Sequence, residues 1–227
     1  MYQLSCVTKR YRRGEDTVRA LDGVDLIIED GGRLVVHGPA GGGKSTFLRM
    51  LGGLDRPCWG RVLLDGTDLA TLPEARLARL RAEKIGFVSR VRGPVPGLTV
   101  QEYVETGLVP LGLRGDERRE RAAEALVSVG LGGRGGHPLA GLPDGQRQRA
   151  AIARAWVGRP AVLLADEPAG GLDAAGRDAI MEVLDGLWER HGLTFVMVTR
   201  DTALARRAPR VATLREGRMS VREQVVG

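Results

Sequence analysis

The clearest chemistry in this chain of 227 residues sits in "GPAGGGKST", Gly38 to Thr46. The stretch satisfies G-x-x-x-x-G-K-[ST], the spacing that wraps backbone around phosphate. After Gly38, Pro39 and Ala40, the run Gly41, Gly42 and Gly43 lets the main chain turn its N–H groups inward, where a side chain would obstruct phosphate oxygens. Lys44 is long enough to reach the β and γ phosphates of a nucleoside triphosphate, and Ser45 offers a hydroxyl to Mg²⁺. A short apolar strand, "RLVVHG", leads into the loop. A helix over Lys44–Leu51 leads out of it and turns its positive end toward the anion.

A second stretch, "AVLLADEP", places Asp166 at the exit of a buried apolar strand and Glu167 beside it. At that position Asp166 can hold the metal through water, and Glu167 can polarise the water that attacks the γ-phosphate. A strand-end Asp-Glu can also serve only to cap a helix ahead of Pro168; the glycine loop upstream favours the metal reading. A third stretch, "GLPDGQRQRAAIARAW" (Gly141 to Trp156), runs a Pro-Asp-Gly turn into a basic helix, with Asp144 or Gly145 placed to cap it. A helix start of this kind usually serves an anion, yet here the nearest side chain is itself an anion.

The elements that must hold these residues follow from periodicity. Strand-like alternation covers Tyr2 to Thr8 and "GVDLIIED", closed by Gly31-Gly32. Buried strands follow at "IGFVS", "AVLLAD", "LTFVMVT" and "RVATLRE", and the strand, loop and helix order is that of a parallel α/β sheet. Between the second and third of the parallel set lies a strand-free helical insert, Val91 to Arg159. Within it, "RGDERRERAAEALVSVGL" puts Ala122, Ala125, Leu126 and Val129 on one face, the pattern of a surface helix packed on its neighbours. His137, in a glycine-rich loop, has no partner at metal-ligand spacing.

Composition narrows the function classes. The formal charge is +6 with lysine only at positions 9, 44 and 84, so arginine supplies nearly all of the positive charge, and specific nucleic-acid binding is not indicated. Cys6 and Cys58 stand far apart without metal spacing and suit a reducing compartment. No signal-like run opens the chain, and no window approaches the roughly 18 apolar residues of a spanning helix. The expectation is a cytoplasmic protein that meets a membrane only through a partner.

On these residues, together with "VTKRYRRGEDTVRALDGVDLIIEDGG", "LGGLDRPCWGRVLLDGTDL", "GLTVQEYV", "LLADEPAGGLD" and "VMVTRD", nearly the whole chain resembles the ATP-binding subunit of an ABC transporter. "LGGLDRP" and "RVLLDGTDL" look most like the branch serving lipoprotein release, macrolide efflux and cell-division permeases. The resemblance implies a P-loop NTPase (RecA-like) α/β fold over residues 1–227, with a parallel-sheet core. An N-terminal antiparallel β lobe shares about 1–90 and 160–227 with that core, and a helical lobe takes about 91–159. It implies ATP and Mg²⁺, a separate membrane permease, and a homodimer or heterodimer in which each ATP lies between one subunit's glycine loop and the other's signature helix. Position by position, Tyr11 matches the aromatic residue that stacks on adenine, an edge-strand tyrosine being the alternative. Asp173 matches the loop that contacts the opposite subunit. Leu142, Pro143, Asp144, Gly145 and Gln146 match the signature Leu-Ser-Gly-Gly-Gln.

Departures from the family pattern gather near the γ-phosphate. Pro143 and Asp144 replace the signature serine and first glycine, Arg90 stands where a glutamine is expected, and Arg200 stands where a histidine is expected. A carboxylate roughly 6 Å from one phosphate charge, at an effective dielectric near 20, costs on the order of 3 kcal/mol, or about a hundredfold in sandwich closure. One reconciliation pairs Asp144 with Arg90 or Arg200 of the opposite subunit of a homodimer. Another makes this chain the degenerate half of a heterodimer. Retention of Glu167 points to hydrolysis; the rival class is a nucleotide-gated regulatory or scaffold subunit.

Overall fold

The computed structural model describes residues 1–90, 96–206 and 208–223. The chain forms two compact units: Met1–Leu77 with Leu164–Asp166 and Thr194–Gly227, and Ala78–Leu163 with Glu167–Leu193.

The first unit holds two sheets. One is antiparallel, with β1 (Tyr2–Arg13), β2 (Asp16–Ile28), β4 (Trp59–Leu64) and β5 (Thr67–Asp68) in the order β2-β1-β4-β5. Its alternation is that of a half-buried sheet: Val24, Leu26 and Ile28 are buried while Asp25 and Ile27 face out. Tyr2 pairs with both Ile28 and Leu64, and the register with β2 shifts between Leu4 and Val7, around Cys6 at φ 50°.

The other sheet is built on β3 (Arg33–His37), which pairs parallel with β8 (Thr194–Thr199) and with β9 (Arg210–Arg215). A further strand, β10 (Arg218–Glu223), runs antiparallel to β9, and the end of β7 (Val162–Asp166) lies beyond β8. Leu34, Val35, Val36 and Phe195 to Val198 are fully buried, as strands covered on both faces must be. Helix α1 (Lys44–Leu51) buries Phe47, Leu48, Met50 and Leu51, and the buried Tyr2 hydroxyl donates to Leu51 O at 2.9 Å. The β9 to β10 hairpin turns on Glu216 and Gly217 at φ 50° and 79°, both left-handed as a two-residue primed turn needs.

In the second unit β6 (Ile85–Ser89) neighbours the start of β7. Helix α2 (Glu74–Lys84), which belongs to this unit from Ala78 onward, precedes β6; α3 (Val100–Glu105), α4 (Gly115–Ser128), α5 (Asp144–Trp156) and α6 (Ala174–His191) follow. Short 3₁₀ turns cover Thr106–Leu111 and Leu139–Gly141. Thr99 starts α3 with a capping box: its hydroxyl accepts from Glu102 N at 3.2 Å, and Glu102 Oε2 accepts from Thr99 N at 2.8 Å. The amphipathic reading of α4 holds, with Ala122, Ala125, Leu126 and Val129 buried. Of the strand-free insert, 91–95 lie outside the described residues; the rest carries helices, turns and one isolated bridge, Thr99 to Pro138. No helix among the described residues is long and apolar enough to cross a membrane.

Gly86 lets β6 approach α5 closely. A Cβ built there would collide with the Ala155 carbonyl and lie 2.9 Å from Pro160 Cγ and 3.0 Å from Leu163 Cδ1. Gly86→Ala is therefore expected to cost about 1–3 kcal/mol through overpacking, read as a lowered midpoint in urea unfolding.

Candidate functional site

The phosphate loop is shaped by two different demands on its glycines. Gly41 and Gly43 take φ of 74° and 100°, a region that favours residues without a Cβ. Gly38 and Gly43 also answer close packing: a Cβ on Gly38 would run into the Leu214 carbonyl of β9, and one on Gly43 into the Ala20 carbonyl of β2. Around Gly41 a Cβ would meet nothing within 4 Å, so that side of the loop opens outward. Pro39 and Ala40 are exposed, and Gly42 N donates to Pro39 O at 3.2 Å.

Lys44 is only 7% exposed, and its ammonium donates to Gly38 O and Pro39 O, each at 2.8 Å. The loop thus closes around the cation that its sequence supplies. Helix α1 begins at Gly43 with no side-chain cap, which leaves the positive end of its dipole to an anion. Ser45 is exposed on the first turn of α1, Thr46 is buried, and Asp166 is half-buried at the end of β7. Among the described residues no group of three or more His, Cys, Asp or Glu could hold a metal ion. One hydroxyl and one carboxylate suit Mg²⁺, which keeps waters and phosphate oxygens for its other positions.

Tyr11, on β1, donates its hydroxyl to Asp55 Oδ2 at 2.7 Å, and Lys9 Nζ lies 5.2 Å from its ring centroid. Burial, reinforced by the bond to Asp55, pushes the Tyr11 hydroxyl pKa upward. Burial alone would raise the Asp55 carboxyl, but bonds from Lys9, Tyr11 and the Arg56 N–H outweigh it and hold that carboxyl below its usual range. Lys9 and Asp55 lie within "VTKRYRR" and "LGGLDRP", but no spacing in the sequence gives either a role. Arg200, the first unit's remaining candidate, is exposed just past β8, where Asp201 accepts from Ala203 N at 2.8 Å and opens helix α7 (Thr202–Arg206).

The second unit holds Arg90, Glu167, Asp173 and the signature residues. Glu167 adopts φ 49°, an uncommon backbone state for a non-glycine residue, and its carbonyl accepts from Gly170 N at 3.0 Å. Asp173 caps α6, Oδ1 accepting from Gly176 N at 2.8 Å. Between them, Arg90 lies over Gly170 and Gly171. A Cβ on Gly171, at φ 84°, would overlap the Arg90 guanidinium, 2.8 Å from its Cζ, and a Cβ on Gly170 would stand 3.6 Å from Arg90 Cδ and 3.4 Å from Glu167 Cβ. The long side chain at the glutamine position thus occupies room that a bare glycine loop provides.

The signature differs from the expectation in two respects. Pro143 is the N-cap of α5 and Asp144 its first residue, with no side-chain cap bond, so neither Asp144 nor Gly145 caps the helix. Asp144 also has a local partner that the sequence reading did not name. The Asp144 carboxylate accepts from Arg147, one turn along the same helix, and Arg147 also donates to Leu142 O at 2.8 Å. The i,i+3 geometry of a helix makes that pairing available at no cost in reach. Gln146 keeps its Oε1 buried with no hydrogen-bond partner, and a Cβ on Gly145 would meet nothing within 4 Å. Gln148 donates to Ser89 O at 3.3 Å and so ties the signature helix to the residue before Arg90.

The family model for ABC transporter proteins matches residues 21–170, well over half of the chain. The lipoprotein-releasing system ATP-binding protein LolD of Shewanella frigidimarina is 40% identical over 224 residues, covering 97% of this chain and 92% of that protein. The macrolide export ATP-binding/permease protein MacB of Hyphomonas neptunium is 41% identical over 219 residues; the alignment takes in 96% of this chain but 34% of MacB. Among solved structures, the cassette MJ0796, a protein of Methanocaldococcus jannaschii, as a dimer bound to ADP and Pi superposes with a TM-score of 0.87 at 39% identity, over 97% of this chain and 98% of that one. Sequence kinship along nearly the full length and a shared fold agree with the phosphate loop at Gly38–Thr46, and this chain belongs to the ABC transporter family as one of its ATP-binding cassettes.

Proposed function

We propose that this cassette hydrolyses ATP to drive a separate membrane permease of the lipoprotein-release or macrolide-export kind, working as a dimer at the cytoplasmic face of the membrane. The observation that carries the reading is the loop Gly38–Gly43 closed around the buried Lys44 ammonium at the uncapped start of α1. Such a site is preorganised for phosphate oxygens, so binding needs no rearrangement of charge. In this reading Tyr11 stacks on the base, and Gly38, Pro39, Ala40, Gly41, Gly42, Gly43, Lys44 and Thr46 form the phosphate cradle. Ser45 and Asp166 hold Mg²⁺, which when bound neutralises charge on the β and γ oxygens. Glu167 accepts the proton of the attacking water. Gly145, Gln146 and Asp173 face the second subunit, and the exposed Arg200 supplies a donor at the histidine position.

Arg147 answers the electrostatic objection to Asp144. With its carboxylate already paired inside α5, the signature meets a phosphate as a neutral pair beside a helix N-terminus. Arg90, laid over Gly170 and Gly171, fixes the loop between Glu167 and Asp173, the part of the second unit that must stay still while Glu167 acts. Pro143 offers neither hydroxyl nor N–H, which favours a second reading: a nucleotide-gated subunit paired with a more active ATPase.

Glu167→Gln separates the two. On the hydrolytic reading it lowers steady-state turnover by about a hundredfold or more while ATP binding persists; turnover equal to that of the parent chain would support the scaffold reading. In the Glu167→Gln background, Arg147→Ala exposes an unpaired carboxylate and is expected to weaken ATP-dependent self-association about tenfold or more, measured by light scattering. Adding Asp144→Gly should restore it. Gly171→Ala is expected to lower turnover several-fold when Arg90 is present and distinctly less after Arg90→Gln, because backbone strain is common to both arms and the collision with the guanidinium is not.

A further inference from the structure

We infer that Asp55 is the positioning residue of the base subsite: it fixes the Tyr11 ring relative to the phosphate loop, and Lys9 decides which face of that ring the base takes. The inference rests on the reading of Tyr11 as the residue that stacks on adenine. Lys9 and Tyr11 lie two apart on β1, and both side chains reach Asp55. Asp55 comes from the turn just past α1, where Leu54 N donates to Arg49 O at 2.9 Å. Its two oxygens are divided between these partners. Oδ2 accepts from the Tyr11 hydroxyl at 2.7 Å; Oδ1 accepts from Lys9 Nζ at 2.5 Å and from Arg56 N at 2.8 Å. Lys9 donates a further bond to Arg56 O at 2.7 Å, and only 13% of its side chain is exposed.

The consequence is mechanical. One end of α1 carries the loop that holds phosphates, and the turn past its other end carries the carboxylate that holds the Tyr11 ring. An aromatic ring gains from stacking only to the extent that its freedom is already spent, and a charge-assisted bond at its far tip spends it before ATP arrives. Lys9 adds direction. With an ammonium 5.2 Å from the ring centroid, one π face is taken by a cation, and that polarises the ring and leaves the opposite face to an electron-rich base. Asp55 touches neither base nor phosphate in this account; it acts through Tyr11.

The experiment compares the affinity of the full chain for ATP with its affinity for inorganic triphosphate, which carries the phosphates but no base. Asp55→Ala and Tyr11→Phe should each weaken ATP roughly fivefold to twentyfold, in the range that loss of one ordered stack produces, and leave inorganic triphosphate within about a factor of two. The double variant should be no weaker than the worse single variant, because both changes cut one tether. Tyr11→Ala should lose the most. If Tyr11→Ala weakens ATP and Asp55→Ala does not, Asp55 has no positioning role although Tyr11 still reads the base. If Tyr11→Ala leaves ATP affinity unchanged, the base reading itself fails. Equal losses for ATP and inorganic triphosphate would show that Asp55 merely supports the loop, which overturns the inference. Tyr11→Phe removes a single oxygen from a half-exposed side chain, so an unchanged ATP affinity there overturns it even if Asp55→Ala does not fold.

Discussion

Everything in the first unit depends on one constraint: a backbone must pass close enough to its neighbours to close around a buried ammonium. Gly38 and Gly43 make the approach possible, one against the Leu214 carbonyl and the other against that of Ala20. Lys44 completes the closure by donating to Gly38 O and Pro39 O. A single methyl group at either glycine would push the loop away from β9 or β2 and open the ring of carbonyls that fixes the lysine. The parallel pairing of β3 with β8 and β9 supplies the rigid floor. Fully buried Leu34, Val35 and Val36 deliver the chain to Gly38 in one defined place.

A similar economy governs the second unit. Two of the side chains that look disruptive in the sequence have local contacts. Asp144 meets Arg147 within one helical turn, and Arg90 lies on the bare backbone at Gly170 and Gly171. Between them runs a short line of contact, from Gln148 on the signature helix to the carbonyl of Ser89 and then to Arg90. Two departures from the family pattern, Asp144 and Arg90, thus have contacts inside one chain. The left-handed backbone at Glu167 belongs to the same short loop, whose glycines make room for the arginine that replaces a glutamine.

Legibility in the sequence followed the range of the interaction. Apolar runs such as "RLVVHG" and "IGFVS" announced their strands, because a strand buried on both faces needs nothing but apolar residues. The strands β4, β5 and β10 carry no such run: β4 buries Val62 and Leu64 only, β5 is two residues long, and β10 is polar along an exposed edge. Their strand character comes from the neighbour they pair with. The Glu216-Gly217 turn was a readable signal for β10 that the alternation of its own residues did not reinforce.

By itself the sequence determined the phosphate loop, the hydroxyl at Ser45 and the strand-end carboxylate at Asp166, the helical insert and the family. Each of these rests on residues adjacent in the chain or on a period of two or three to four, and local spacing dictates local geometry. Only the tertiary structure decided which charges meet. Lys9 and Asp55 are far apart in the chain yet share a 2.5 Å bond, and Gly171 matters because Arg90 folds over it. Even Asp144 and Arg147, three residues apart, needed the helix start at Asp144 before one could be assigned to the other. Electrostatic pairing falls off over a few ångströms, so it belongs to whichever groups the fold brings within that distance, and spacing along the chain cannot name them.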